Sequence, residues 1–193
     1  MVQVDPHAMF VSSSCMDLLL IEMIPIMKRL TLVTMSSPQV PRDLSSEASS
    51  LAAIQHEDDE REAIYGKLEL LGFKVGQRLV ERFSQNKSRF MDPLDMIKFI
   101  CKDIWMLLFK KQIDNLKTNH KGVYVLTDYS FSWFLRMSTK AGGQDAIDKA
   151  QIFLWFPCGM LRGILTNLGE QCTVIADTTN FPGCIFQIKL TNS

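Results

Sequence analysis

The sequence predicts an α+β domain in which a four-stranded antiparallel sheet, made of two hairpins, packs against about four helices. Two patterns lead to this fold class. Apolar residues three and four positions apart recur through most of residues 14–113 and again through 145–168, which is typical of helices. Residues 123–135 and 174–190 are instead rich in β-branched and aromatic residues around a central turn, which predicts one hairpin each.

Composition fits one domain with a preceding tail. The chain has 193 residues, of which 47% are hydrophobic, enough to build a core. We expect residues 1–13 to be a tail and residues 14–193 to form a single domain. Lysine plus arginine number 21, as do aspartate plus glutamate, so no broad charge favours nucleic acid as a partner.

Cysteine usage and hydropathy indicate a cytoplasmic protein. The five cysteines are odd in number, form no CxxC pair and lie mostly in apolar segments, which favours free thiols in a reducing compartment. The longest apolar stretch, residues 16–30, contains charged residues and is shorter than the ~20 residues of a membrane span. We therefore expect contact with membranes only through partners.

The first predicted helix, residues 14–35, carries two apolar stripes. One stripe comprises Met16, Leu19, Leu20, Met23, Met27 and Leu30, and the other comprises Leu18, Ile21 and Ile24. A helix that is apolar on two faces must be covered on both. The second stripe is therefore the candidate partner interface, with Leu19 and Met23 taking that role if the first stripe faces outward.

A loop and a second helix follow. Residues 36–50 are rich in serine and contain Pro38 and Pro41, so they are predicted to form a flexible insertion. The acidic residues 57–60 suit the start of a helix, where negative charge meets the helix dipole. This helix is predicted to continue to Phe83, interrupted at Gly72 and Gly76.

The remaining elements follow from local signals. Asp92 and Pro93 predict the cap and first turn of a helix that runs to about Ile113. Strands are predicted at 123–126 and 131–135, joined by a turn at 127–130, and at 174–176 and 184–190. Between the hairpins, residues 145–168 form a helix that Gly169 ends.

No set of residues predicts catalysis, a cofactor or a metal. His7, His56 and His120 lie at no metal-ligand spacing from a cysteine or from each other, and no glycine-rich phosphate loop is present. We therefore expect a protein that is not an enzyme.

Two pairs of glycines call for a packing explanation. Gly72 and Gly76 are four residues apart, as are Gly159 and Gly163, so each pair shares one helix face. Glycine inside a helix costs up to ~1 kcal/mol relative to alanine. We expect this cost to be offset by close packing of another helix or of the sheet.

Three segments, residues 71–83, 96–120 and 158–169, together resemble the subunit 6 group of the small α/β-plait subunits of the TRAPP complex. The resemblance implies an architectural, non-catalytic subunit that pairs through its helices with a related subunit, one that can hold a palmitoyl chain in an apolar tunnel. It also implies a complex that tethers vesicles in endoplasmic reticulum and Golgi traffic. The complex promotes nucleotide exchange on Rab-family GTPases, so this chain would contact a Rab GTPase only as part of the complex. Its expected location is the periphery of those membranes.

The sequence departs from the family pattern at two places, and a second function is also consistent with it. Residues 84–91 contain no cysteine, so the acylation known in relatives is not implied here, and Pro157 predicts a kink in the last helix. The alternative function is a small domain that binds an apolar ligand or lipid. A scaffold subunit should purify with a protein partner, whereas a lipid-binding domain should purify with a bound hydrophobic molecule.

Overall fold

The computed structural model describes residues 12–35, 46–119, 121–137, 143–178 and 180–191. Its α-helices are α1 (Ser13–Met35), α2 (Ser46–Ser84), α3 (Pro93–Phe99), α4 (Trp105–Phe109), α5 (Gly143–Gln151) and α6 (Trp155–Asn167). Its strands are β1 (Asn115–Thr118), β2 (Val123–Asp128), β3 (Cys172–Asp177) and β4 (Cys184–Leu190). They form one antiparallel sheet in the order β1-β2-β4-β3, which confirms the predicted fold class.

One face of the sheet builds the core. In β4 the side chains of Phe186, Ile188 and Leu190 are buried, and those of Gln187 and Lys189 between them are exposed. This alternation is as predicted. The register of β4 with β2 places Phe186 opposite the buried Leu126. The buried face contacts α6 through β3, while the other face of the sheet is partly exposed.

The first hairpin is composed differently from the prediction. Residues 131–135 are not a strand: they make a turn and enter the 3₁₀ turn Phe134–Arg136. The side chains of Phe131, Trp133 and Phe134 are all buried in an aromatic cluster, whereas a strand would send neighbouring side chains to opposite faces. The backbone N–H of Phe131 instead donates to the carbonyl of Pro182, 3.1 Å away, which ties this segment to the second hairpin.

The strand that completes the sheet is β1, which pairs with β2. Its four residues are mostly polar, so they lack the apolar signal of a strand, and they form an edge of the sheet. Thr127 and Asp128, predicted in a turn, lie in β2.

Helix α2 begins earlier than predicted. It starts at Ser46, so the acidic residues 57–60 lie within the helix and residues 46–50 are not part of a loop. No glycine or proline interrupts the chain from Ser46 to Tyr65, and α2 continues through Gly72 and Gly76 without a break. The rest of the predicted insertion, residues 36–45, lies outside the described residues.

The third predicted helix starts as expected and ends early. Asp92 has extended backbone ahead of Pro93, although its side chain makes no capping hydrogen bond. The helix passes through a π-helical turn at Ile100–Ile104 and ends at Phe109, because Lys110 takes up a left-handed conformation with φ of 60°. Ile113 therefore lies beyond it, with its N–H donating to the Cys101 carbonyl at 3.0 Å.

The last predicted helix is divided in two. A 3₁₀ turn at Ile152–Leu154 separates α5 from α6 shortly before Pro157, which has no N–H to continue the α-helical pattern. Gly169 ends α6 as predicted, with φ of 105°. Its N–H donates to the Thr166 carbonyl and the N–H of Glu170 donates to that of Leu165, a Schellman arrangement.

The four glycines singled out in the sequence lie where α2 and α6 meet. A Cβ atom on Gly72 or Gly76 would come within 3.0 Å of the backbone of Phe156 or Met160. One on Gly159 or Gly163 would do the same to the backbone of α2, at Glu69 and Phe73 respectively. The two backbones are thus in contact, and only hydrogen fits at these positions.

We predict that Gly76→Ala lowers the free energy of unfolding by about 1–3 kcal/mol, because the two helices must move apart. The control is Gly66→Ala in the same helix, where an added Cβ meets no atom within 4 Å. That variant should gain up to ~1 kcal/mol from helix propensity. Urea unfolding followed by circular dichroism measures both, and a gain in stability for Gly76→Ala would contradict the close contact.

A buried carboxylate joins the helical layer to the sheet. Asp128, at the end of β2, is fully buried, and its carboxylate accepts hydrogen bonds from Trp105 Nε1 at 2.9 Å and Lys111 Nζ at 2.7 Å. Lys111 Nζ also lies 2.8 Å from the Asp114 carboxylate. Burial alone would lower the pKa of Lys111, but the hydrogen bonds that it donates to both aspartates outweigh this effect and raise the pKa.

We predict that Lys111→Met lowers the free energy of unfolding by about 1.5–3 kcal/mol at neutral pH, because Asp128 loses its charged donor. The pKa of Lys111 is raised above its ordinary value of 10.5. The stabilisation that its charge provides is therefore fully present below pH 10.5 and is lost as the pH rises through the pKa of the folded state. The difference between wild type and variant should therefore shrink above that pH. Lys117→Met, on the exposed side of β1, is the control, and an equal loss in both variants would contradict the role of Asp128.

Candidate functional site

Exposed apolar side chains occur along the whole length of α1, interspersed with the charged residues Glu22, Lys28 and Arg29. Leu18, Leu19 and Ile21 have 62%, 60% and 50% of their surface exposed. Further exposed large apolar side chains on this helix are Met16, Ile26, Leu30, Leu32 and Val33. Large apolar side chains exposed in this number on one helix are rare on soluble monomers and mark sites of interaction. We call these eight side chains the α1 surface.

The opposite side of α1 holds the helix on the domain. Leu20, Met23 and Ile24 are buried in the core. Near the other end, Lys67 Nζ of α2 donates to Thr31 Oγ1 at 3.0 Å and to Thr34 Oγ1 at 3.1 Å. The apolar core and this polar clamp together fix α1 against α2, so its outward side chains are presented on a supported helix.

The five residues predicted as a partner interface divide between the two sides. Leu18, Ile21 and Leu19 point outward, whereas Ile24 and Met23 are buried within the domain. The predicted grouping of the stripes is therefore wrong for Ile24, and Leu19 does not lie with the inward residues. The buried seam follows positions 20, 23, 24, 27 and 31. Because apolar residues occur on nearly every side of α1, spacing alone did not identify this seam.

An open groove continues the α1 surface at the N-terminal end of the helix. Its volume is about 760 Å³, and its apolar lining comes from α1, from the end of α4 and from the segment after β2. The apolar lining residues are Met16, Leu19, Leu107, Leu108, Phe109, Trp133 and Leu135. Because Met16 and Leu19 belong to both features, the groove and the α1 surface form one continuous area.

The buried thiols are not poised for chemistry. Burial raises the pKa of Cys101 and of Cys158 to about 12 and that of Cys172 to about 11, and it raises the pKa of Cys184 as well. At neutral pH these groups are protonated and therefore poor nucleophiles. Cys15, at the start of α1, is exposed.

Among the described residues, histidine, cysteine, aspartate and glutamate side chains form no group of three that could hold a metal ion. His7 and His120 lie outside those residues, and the side chain of His56 is not described. Within the same ranges, no helix has both the length and the apolar character needed to cross a membrane.

The family model and the similar proteins agree on one family. The model of the family "Transport protein particle (TRAPP) component" matches residues 16–191. The chain is 48% identical over 124 residues to trafficking protein particle complex subunit 6B of Mus musculus, covering 64% of this chain and 77% of that protein. Over 126 residues it is 45% identical to subunit 6A of Homo sapiens, covering 65% and 77%.

A solved structure shares the fold. It is the crystal structure of a trafficking protein particle complex subunit 3 from Naegleria fowleri, covalently bound to palmitic acid. The two chains superpose with a TM-score of 0.58 at 15% sequence identity, over 87% of this chain and 96% of the other. At this identity the likeness is one of fold alone.

We predict that one thiol of the folded chain, that of Cys15, reacts rapidly with a thiol-specific reagent at mildly alkaline pH. The other four are buried and protonated, so they should react only as the chain opens. Titration with and without guanidinium measures the fast and total thiols, and Cys15→Ser should remove the fast reaction. Rapid reaction of a second thiol in the folded state would contradict the burial described above.

Proposed function

Because the chain belongs to the transport protein particle (TRAPP) component family, we propose that it is an architectural subunit of the TRAPP complex that pairs with a related subunit. The predicted resemblance to subunit 6 is confirmed by its relatives, subunits 6B and 6A. In this role the chain has no catalytic step of its own. It supplies a folded domain whose outward surface is completed by another protein.

The main support for the proposal is the exposed α1 surface. Burying one leucine or isoleucine side chain contributes roughly 1.5–3 kcal/mol. Leu18, Leu19 and Ile21 are each at least half exposed, so a partner that covers all three gains roughly 3–5 kcal/mol before the costs of association. Apolar side chains therefore occupy exposed positions of α1 that are usually polar in a monomeric protein.

The partner that fits best is another small TRAPP subunit, of the type that can hold a palmitoyl chain. Subunit 3 of Naegleria fowleri has the same fold and is covalently bound to palmitic acid. We propose that a subunit of this type packs its helices on the α1 surface. Rab-family GTPases and the membranes of the Golgi and endoplasmic reticulum would then be reached through the assembled complex, from the cytoplasm.

The groove beside the α1 surface supports the same proposal. An apolar-ligand domain would enclose its ligand, whereas this groove opens to solvent and shares Met16 and Leu19 with the exposed helix face. We therefore assign the groove to the pairing surface. A single domain over residues 14–193 fits this arrangement.

We predict that Leu18→Asp combined with Ile21→Asp weakens pairing with a TRAPP subunit 3 by at least ~100-fold, because two buried apolar contacts become charged. Both side chains point outward, so the circular dichroism spectrum should not change. Purified variants are compared by biolayer interferometry on the immobilised partner.

The control is Ile175→Asp, which changes a 62% exposed isoleucine on β3. It should pair as wild type does. Undiminished pairing of the double variant would place the interface elsewhere. An unmodified chain that purifies with a hydrophobic small molecule and binds no TRAPP subunit would instead support the ligand-binding alternative.

A further inference from the structure

A row of basic side chains runs along the outward side of α2. Lys74, Arg78 and Arg82 are four residues apart in turn, so they share one face of the helix. All three are exposed, and the Arg78 side chain is 84% exposed. We call these three residues the basic row.

The position of Lys67 shows that the basic row borders α1. Lys67 is seven residues before Lys74, so it lies on the same face of α2. Its Nζ donates to Thr31 Oγ1 and Thr34 Oγ1 of α1, at 3.0 and 3.1 Å. The face of α2 that carries the basic row is therefore the face next to α1.

The side of α1 that adjoins α2 carries an exposed apolar stripe. Leu30 is four residues before Thr34 and so shares the side of α1 that Lys67 contacts. Leu19 and Ile26 lie on the same side, eleven and four residues before Leu30. Of the exposed charged residues of α1, Glu22 and Arg29 border this stripe on the edge away from Thr34, and Lys28 lies on the opposite side of the helix. The contact of Lys67 with α1 and the helical spacing together orient the basic row toward the edge of this apolar stripe that adjoins α2.

Local pairing accounts for only part of this charge. Arg78 Nη1 lies 3.1 Å from Glu81 Oε2, and both side chains are largely exposed. Exposed pairs of this type contribute about 0–1 kcal/mol. Arg82 lies in the last turn of α2, where a cation suits the helix dipole. Three cations beside one acid still leave a net positive edge along the apolar stripe.

We propose that the subunit paired with this chain docks an amphipathic helix whose apolar face covers Leu19, Ile26 and Leu30 and whose adjoining edge is acidic, facing the basic row. The inference rests on the proposed function and specifies the chemistry of the partner. Complementary charge along one edge accelerates association and selects one orientation of the docked helix, while the apolar contacts supply most of the affinity.

The test measures the association rate with a TRAPP subunit 3 from the same organism at 0.05 and 0.5 M NaCl. For the unmodified chain we expect the rate to fall several-fold between the two salt concentrations, because ions screen the attraction. The variant Lys74→Gln, Arg78→Gln, Arg82→Gln should associate several-fold more slowly at low salt and lose most of the salt dependence.

The matched control is Lys102→Gln, Lys117→Gln, Lys189→Gln, which removes the same charge from exposed lysines outside α1 and α2. It should keep the rate and the salt dependence of the unmodified chain. If both triple variants behave alike while the Leu18→Asp, Ile21→Asp chain fails to pair, the acidic-edge inference is overturned and the proposed function stands. Failure of the unmodified chain to bind any TRAPP subunit would overturn both.

Discussion

The backbone contact between α2 and α6 is the constraint on which the rest of the structure depends. Gly72 and Gly76 on one helix and Gly159 and Gly163 on the other remove every side chain from the contact, so the helices meet at their closest approach. Beside the contact, Arg162 Nε lies 2.8 Å from Glu69 Oε1, and its guanidinium stacks over the Phe73 ring at 4.7 Å. Because α6 also packs on the sheet and α2 also supports α1, this contact transmits the position of the sheet to the outermost helix.

Helix α1, held in this way, packs on the domain with one side and leaves its remaining surface available to a partner. The buried seam of α1 uses Leu20, Met23 and Ile24, which leaves most of its apolar circumference outside. Membership of a family of complex subunits explains this exposed apolar surface, because such a subunit buries part of its hydrophobic surface only on assembly. Stability and assembly are then coupled: a partner that binds the folded chain alone also raises its apparent stability.

The sequence predicted those features whose signal is local. Alternation in β4, the stop at Gly169 and the glycine spacings each depend on the geometry of a few neighbouring residues, and each prediction agrees with the structure. Strand β1 and the segment 131–135 were missed because tertiary contacts decide them. A polar edge strand is held by its ladder with β2, and the buried aromatics of 131–134 follow the cluster around Trp105 rather than a strand pattern. In α1 apolar residues are so numerous that several faces match the helical period of 3.6 residues, so the sequence pattern did not identify the buried face.

Hydrogen–deuterium exchange of the chain, alone and bound to a TRAPP subunit 3, tests the central claim most directly. Amide protection reports local opening, so a helix covered by a partner exchanges more slowly than the same helix facing solvent. We expect binding to slow exchange in α1 and in residues 67–82 of α2, with the outer face of the sheet unchanged. Slower exchange confined to β1 and β3, with α1 exchanging as in the free chain, would contradict pairing through α1.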